Sequence, residues 1–217
     1  MLRNKLTLIK FFMGNLLQAL LALGLALILF YFESFFVGSV VALIWIYLVP
    51  PFATRLAYFF LSHPEGKMSL EDKRFWAWYI GAQLQSIFLR FHFLEELLRL
   101  FPLLYSGWLR LWGAKIGKGV YWAPGVYIMD RTHLKIDDFV LVGYGAGFTS
   151  HHLNLIDGKF ELVLATPHVE SSAVIGGLSG VGPGAIVASG EALPSTMYLA
   201  PFYLWKDGRR HSTLPRG

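Results

Sequence analysis

Seven histidines and no cysteine set the range of chemistry open to this chain. An imidazole gives and takes a proton near neutral pH, so each histidine is a candidate general acid or base. The absence of cysteine removes a thiol nucleophile, a Cys-based zinc site and any disulfide framework. Two histidines are adjacent, His151 and His152, within Thr149-Ser150-His151-His152-Leu153-Asn154. On an extended segment neighbouring side chains point to opposite faces, so only one of the pair can serve a given site. Five further histidines stand at positions 63, 92, 133, 168 and 211.

A periodic sequence surrounds the pair and must position it. After Trp112 an aliphatic or aromatic residue recurs every six positions. Ile116-Gly117-Lys-Gly-Val120 opens the series, and Trp122-Ala123-Pro-Gly-Val126 and Ile128-Met-Asp-Arg-Thr132 follow. Ile136-Asp137-Asp-Phe-Val140 and Val142-Gly143-Tyr-Gly-Ala146 continue it to Phe148. The step from Ile128 to Ile136 is eight, which places an insertion of two residues around Leu134. A second run starts near Val169 and continues through Ile175, Val181 and Val187 to Leu193. A six-residue period predicts a parallel β-helix, with one short strand and one turn per repeat and three repeats per coil. The first residue of each repeat points inward, and so does the small fifth residue. Between the runs the coil is interrupted from Asn154 to about Leu162. Counted from Phe148, His151 takes an outward fourth position. His152 takes an inward fifth position, where an imidazole is too large unless the coil opens. His133 and His168 fall at or near coil corners and read as surface residues.

The N-terminal third has a different character. Between Lys10 and Glu33 there is no charged residue, and none from Ser34 to Thr54. Each stretch has roughly the 20 residues that a transmembrane helix needs. In lipid every backbone polar group must be satisfied within the segment, which predicts helix. Glu33-Ser34 leaves room only for a tight turn, so the two form a helical hairpin. Arg3, Lys5 and Lys10 precede it, Arg55, Lys67, Lys73 and Arg74 follow it, and the turn carries no cation. The positive-inside rule then places both termini, and the β-helix, on the cytoplasmic side of an inner membrane. A cleaved signal peptide fits less well, because the apolar core is too long and a second apolar run follows at once. A buried hairpin in a soluble protein is the other alternative.

Between hairpin and repeats, apolar residues from Phe75 to Leu98 follow helical spacing, with Ser69 as N-cap, Asp72 at the capping-box position and Pro102 as the stop or kink. Trp, Tyr and Arg beside long aliphatics suit an interfacial helix; a helix packed on the β-domain fits equally. His92 reads as structural or interfacial there. His63, before Pro64 in a loop near the bilayer, can meet a substrate headgroup. The boundaries are therefore 1–62 for the transmembrane hairpin, 63–112 for the amphipathic helices, 113–200 for the β-helix and 201–217 for a basic tail.

Charged residues make up 15% of the chain, against about 25% in soluble domains, and the formal net charge is +5. Anionic lipid and a phosphorylated co-substrate fit that balance. No basic patch interleaves with aromatics in a nucleic-acid-binding pattern, so nucleic acid is not an expected partner.

Gly113-Ala-Lys-Ile-Gly-Lys-Gly-Val120, the repeats after it, Val181-Gly-Pro-Gly-Ala-Ile-Val187 and Leu193-Pro-Ser resemble the hexapeptide-repeat acyltransferase family over roughly residues 113 to 200. The fused apolar helices resemble its membrane-associated members, which act on lipids, envelope glycans or peptide products. The resemblance implies a left-handed parallel β-helix, a homotrimer with sites at subunit interfaces, and acyl-CoA or an acyl carrier protein as co-substrate. No permanently bound cofactor and no metal is expected. It also implies a catalytic histidine where the coil is interrupted, hence His151 or His152: the outward register position favours His151, and a His-Leu pair in some relatives favours His152. Acyl transfer needs that base, donors for the developing oxyanion and a slot for the pantetheine arm. Gly145, Gly147, Gly176 and Gly177 allow a ligand to approach the backbone, or simply suit tight coils. Lys206, Arg209 and Arg210, with His211, can hold the phosphates of CoA, meet an acidic carrier protein, touch lipid, or form a loose terminus. Two other functions remain open from sequence: a γ-carbonic-anhydrase-like enzyme with three histidines on zinc, and a non-catalytic membrane scaffold.

Overall fold

The computed structural model describes residues 5–156 and 159–213. Helices α1 (Lys5–Tyr31) and α2 (Phe35–Leu61) have 27 residues each, about 40 Å of helix. Ser34 caps α2, its hydroxyl accepting from the Val37 N–H. The two pack closely where Trp45 crosses Gly24. A Cβ at Gly24 would lie 2.4 Å from the indole, and Trp45 Nε1 donates to the Leu21 carbonyl at 3.0 Å. Their outer faces expose Leu23, Leu27, Phe30, Phe35 and Phe36. Phe11–Tyr31 and Phe35–Leu61 are long and apolar enough to cross a membrane.

The next segment corrects two expectations. Ser69 does not start a helix: it ends a short strand, β1 (Gly66–Ser69), whose Met68 is buried. The cap is Asp72, whose carboxylate accepts from the Arg74 N–H at 2.8 Å, so α3 runs Lys73–Arg90. Nor does one helix continue to Pro102. The backbone leaves the helical region at Phe91, and α4 (Phe93–Arg99) and α5 (Pro102–Trp112) follow. Pro102 opens α5 because a proline in the first turn forfeits no intrahelical hydrogen bond. The break lets α4 turn Glu95 and Arg99 into the protein, where both are buried.

These helices are packed on one side and bare on the other. Helix α3 buries Phe75, Trp78, Leu84 and Phe88; Tyr79 donates to the Phe11 carbonyl of α1 at 3.0 Å, and Gly81 abuts Tyr58 and Thr54 of α2. Helix α5 buries Tyr105, Trp108, Leu109 and Trp112 against the first coil. The turn between α4 and α5 exposes Leu100, Phe101 and Leu103.

The β-domain is a parallel β-helix of triangular section. Its first coil is β2 (Lys115–Ile116), β3 (Tyr121–Trp122) and β4 (Tyr127–Ile128). The second is β5 (Lys135–Ile136), β6 (Leu141–Val142) and β7 (Gly147–Phe148). Strands β8 (His151–Ile156) and β9 (Lys159–Leu164) then leave the coil as an antiparallel hairpin, with β9 also pairing β1. The third coil is β10 (His168–Val169), β11 (Val174–Ile175) and β12 (Gly180–Val181), and the fourth is β13 (Ile186–Val187), β14 (Ala192–Leu193) and β15 (Tyr198–Leu199). Finally β16 (Tyr203–Lys206) adds to the sheet of β2, β5, β10 and β13, and β17 (Arg209–Ser212) folds back on it. The basic C-terminal segment, through Ser212, is thus a hairpin and not a loose terminus.

Hexapeptide positions map directly onto this core. Ile116, Trp122, Ile136, Val142, Ile175 and Val187 point inward, and Val120, Val140, Ala146, Ala173 and Ala185 fill the fifth positions; all are buried. The residue three after each inward aliphatic adopts the left-handed conformation, from Gly119 and Gly125 through Phe139, Ser172 and Leu178 to Phe202. That turn breaks down only after Ile128 and after Phe148. Both exceptions lie on the same edge of the triangle, where the third sheet passes to the first. The chain inserts residues there twice, and the candidate site residues gather there.

Candidate active site

The first insertion carries Asp130 and the second begins at His151. His151 Nδ1 lies 2.7 Å from Asp130 Oδ2. A carboxylate can only accept, so Nδ1 holds the proton and Nε2 is the basic nitrogen. Asp130 is buried and saturated by donors: its Oδ1 accepts from Trp78 Nε1 at 3.0 Å, and its Oδ2 also accepts from the Ser150 N–H at 3.1 Å. Burial alone pushes this carboxyl up. The hydrogen bond and charge of His151, with the Trp78 and Ser150 N–H groups, outweigh it and hold Asp130 below the usual carboxylate range. The Trp78 ring meets the imidazole edge-on, with centroids 4.9 Å apart. Carboxylate and indole together fix the ring's orientation, and the His151 side chain keeps 18% of its surface exposed.

Asp130 is anchored through its neighbours. The Arg131 N–H donates to Gln85 Oε1 of α3 at 2.6 Å. The Arg131 guanidinium is fully buried and pairs with Glu95 of α4, which also pairs with Arg99 at 2.7 Å. Arg131 lies over the faces of Phe88 and Trp108, at 5.5 and 5.9 Å. A buried charge is tolerable only when paired in this way. On the other side, Ser150 Oγ donates to the His133 carbonyl, tying the two insertions together.

The structure corrects the sequence reading of His133, which is 3% exposed and not at the surface. Its Nε2 donates to the Pro64 carbonyl at 2.9 Å, and its Nδ1 accepts from the Thr132 hydroxyl at 2.7 Å. Tyr58 of α2 in turn bonds Thr132 at 3.2 Å. Burial holds the His133 pKa below its ordinary value, so it is a neutral tie between α2 and the first insertion. His63 stacks on it with centroids 5.1 Å apart. His168 opens β10, next to a corner as expected, but is part-buried, with Nε2 2.7 Å from Asp137 Oδ2. His92 pairs with Glu96 at 3.0 Å.

His151 and His152 do not occupy fourth and fifth repeat positions, because the coil opens before them. They start β8, so the interruption begins at His151 and not at Asn154. His152 faces away from Asp130. Its Nδ1 is buried without a hydrogen-bond partner among the described residues, its ring is 6.3 Å from that of Phe202, and burial followed by the His151 charge pushes its pKa down.

The proposed ligand-binding glycines lie elsewhere. Gly145, Gly176 and Gly177 occupy corners between the second and third sheets, on another edge of the triangle. Gly145 adopts φ 64°, and a Cβ at Gly176 would come within 2.4 Å of the Ser195 nitrogen, so close stacking of coils accounts for both. Gly147 is on β7 with open space over it, four residues before His151, where the second insertion begins. Lys206, Arg209 and Arg210 are exposed on the β16–β17 hairpin, and His211 Nε2 meets the Lys206 carbonyl at 3.1 Å. The three-histidine set that a zinc enzyme requires is not assembled among the described residues. Sequence reasoning missed Asp130, Trp78 and Arg131. Asp130 reads as the third residue of an ordinary repeat, and the eight-residue step from Ile128 to Ile136 that spans it was the available signal.

No protein-family model matches this chain, and no curated protein matches it. Among solved structures, it is similar to a hexapeptide-repeat-containing acetyltransferase from Vibrio cholerae, at 18% identity and a TM-score of 0.37. The match covers 48% of this chain and 64% of that one, so this chain spans just under two thirds of that structure's length.

Proposed function

We propose that the protein is a membrane-bound acyltransferase that moves an acyl group from acyl-CoA or an acyl carrier protein to a hydroxyl or amine, with His151 as general base. The acceptor belongs to a lipid, an envelope glycan or a peptide, met at the cytoplasmic face. The observation that carries this reading is the His151–Asp130 pair, at 2.7 Å with a buried carboxylate, at the point where the coil is interrupted. The hexapeptide repeats themselves support it.

The chemistry follows from the pair. The acceptor O–H or N–H gives its proton to His151 Nε2 as its lone pair attacks the thioester carbonyl. The Asp130 carboxylate stabilises the imidazolium that forms. Backbone N–H groups receive the oxyanion. As the tetrahedral intermediate collapses, the C–S bond breaks and the imidazolium returns the proton to the departing thiolate. Carboxylate, imidazole and indole are already held together by hydrogen bonds and ring packing without substrate, which lowers the ordering cost of the reaction step. The exposed cations of the β16–β17 hairpin, Lys206, Arg209 and Arg210, suit the phosphates of the donor. The two apolar helices, long enough to cross a membrane, support a site beside a bilayer, and a homotrimer would complete a donor cleft between coils of neighbouring copies.

Purified protein in detergent, given acetyl-CoA and a membrane lipid extract, tests this. Free thiol should appear only when donor and acceptor are both present, and the label of an acetyl-labelled donor should move to the extract. No turnover across acyl donors and envelope fractions would remove the enzymatic reading in favour of a scaffold.

A further inference from the structure

Two adjoining cavities, of about 350 and 470 Å³, share His63, Gly113 and Thr132 and form one groove. Its membrane end is walled by Arg55, Phe59 and Trp112, at the last turns of α2 and the end of α5. Its far end is the outer surface of the first sheet, where Lys115, Lys135 and His168 stand on successive strands.

Lys115 and Lys135 are directly paired across neighbouring strands. Such strands lie roughly 4.8 Å apart, and like charges placed opposite one another repel. Neither lysine, nor Arg55, has a carboxylate in ion-pair contact among the described residues. His168 is held by Asp137, and Glu65 is the one carboxylate lining the groove among the described residues. A phosphate between the lysines would relieve their repulsion and satisfy both. The opposite end has Phe59 and Trp112 in its wall with Arg55 at its rim, and is continuous with a helix able to cross a membrane, on which Phe59 is 81% exposed and the neighbouring Leu56 58%. An anionic head between Lys115 and Lys135, with chains leaving past Phe59 along α2, fits both ends at once.

We infer that this groove binds the headgroup of a phosphate-bearing, acyl-chain lipid, with Lys115 and Lys135 on the phosphate and Arg55 at the bilayer rim. The assignment rests on the groove alone and not on acyl transfer. His133 lies in its wall while its carbonyl meets Ser150, so the bound lipid sits against the back of the insertion that carries Asp130.

The test uses the full chain in neutral detergent, with phosphatidic acid in mixed micelles as one probe and inorganic pyrophosphate as the other. Saturable retention of radiolabelled phosphatidic acid provides one readout, and the unfolding temperature a second. Phosphatidic acid should bind saturably and raise the unfolding temperature. The double variant Lys115→Gln/Lys135→Gln should bind it about twenty-five-fold more weakly, at about fivefold per lysine, and show no such rise. Lys118→Gln/Lys159→Gln, with the same loss of charge, should bind as the unaltered protein does. Equal binding by both double variants would overturn the assignment, since attraction would then be non-specific. Pyrophosphate binding as tight as phosphatidic acid would overturn the lipid part, leaving a site for free phosphate groups. His151→Ala should leave all these results unchanged.

Discussion

Asp130→Asn changes one oxygen to an amide NH2 and almost no volume, yet it should cost both activity and stability. All three partners of Asp130 are donors: Trp78 Nε1, the Ser150 N–H and His151 Nδ1. Asparagine has one acceptor oxygen for the three. If that oxygen faces Ser150 and His151, the NH2 confronts the indole N–H. If it faces Trp78, the NH2 confronts the Ser150 N–H, and His151 is driven to carry its proton on Nε2, where it is no longer a base. Either arrangement leaves a buried donor unpaired, worth about 1–3 kcal/mol of stability. The catalytic loss is larger, because the imidazolium also loses its negative partner; roughly 10²–10⁴-fold in kcat is expected. Thiol release from acyl-CoA, followed with thermal unfolding of the same sample, separates the two effects. The pH dependence of stability gives an independent check. The folded carboxyl is held below its usual range, so its contribution is complete above the unfolded value of about 4 and is lost as pH falls through the folded one. Asp130→Asn should lack that acid-side loss. Activity within threefold of the unaltered protein, with His151→Ala inactive, would refute the claim that Asp130 orients the base.

Three further outcomes follow from the same structure. Glu95→Ala strands the buried Arg99 and Arg131 without their carboxylate and should destabilise the protein by about 3–5 kcal/mol in chemical unfolding, with activity falling alongside because Arg131 adjoins Asp130. Gly176→Ala puts a Cβ 2.4 Å from the Ser195 nitrogen, so it should lower the unfolding temperature, yet leave the kcat of the folded fraction nearly intact, since that corner lies on another edge from His151. In membranes, alkaline carbonate should fail to release the protein, and protease added to inside-out vesicles should reach the β-helix; release, or digestion only from the opposite side, would contradict the anchored, cytoplasm-facing arrangement.

The fold was legible because its signals are local and repetitive. Each coil position asks for one residue class, and Ile116, Val142, Ile175 and Val187 answer it six residues at a time. The two charge-free runs likewise announce helices whatever they pack against. The site was only half legible. His151 stood out as a histidine at a break in the repeat. Its partner Asp130 lies 21 positions earlier, within a segment that keeps the repeat pattern until its last residues. Trp78 belongs to a helix whose many aromatics all read as core or interface. His133 was misplaced for a related reason: a corner histidine is ordinarily exposed, but here the Pro64 loop and α2 cover the corner, a contact 69 residues distant in sequence. Register counting failed at His151 and His152 because it assumes a closed coil, and the pairing of β9 with β1 pulls the hairpin out before the count reaches them.

The central claim is that His151 Nε2 takes the acceptor's proton, and initial rates of acyl transfer by His151→Ala test it most directly. Measured on folded, membrane-extracted protein beside His152→Ala, kcat should fall by roughly two or more orders of magnitude for His151→Ala and much less for His152→Ala. Both variants should still fold, His151→Ala with a lowered unfolding temperature because the buried Asp130 loses one of its three donors. Full acyl transfer by a well-folded His151→Ala protein would contradict the account.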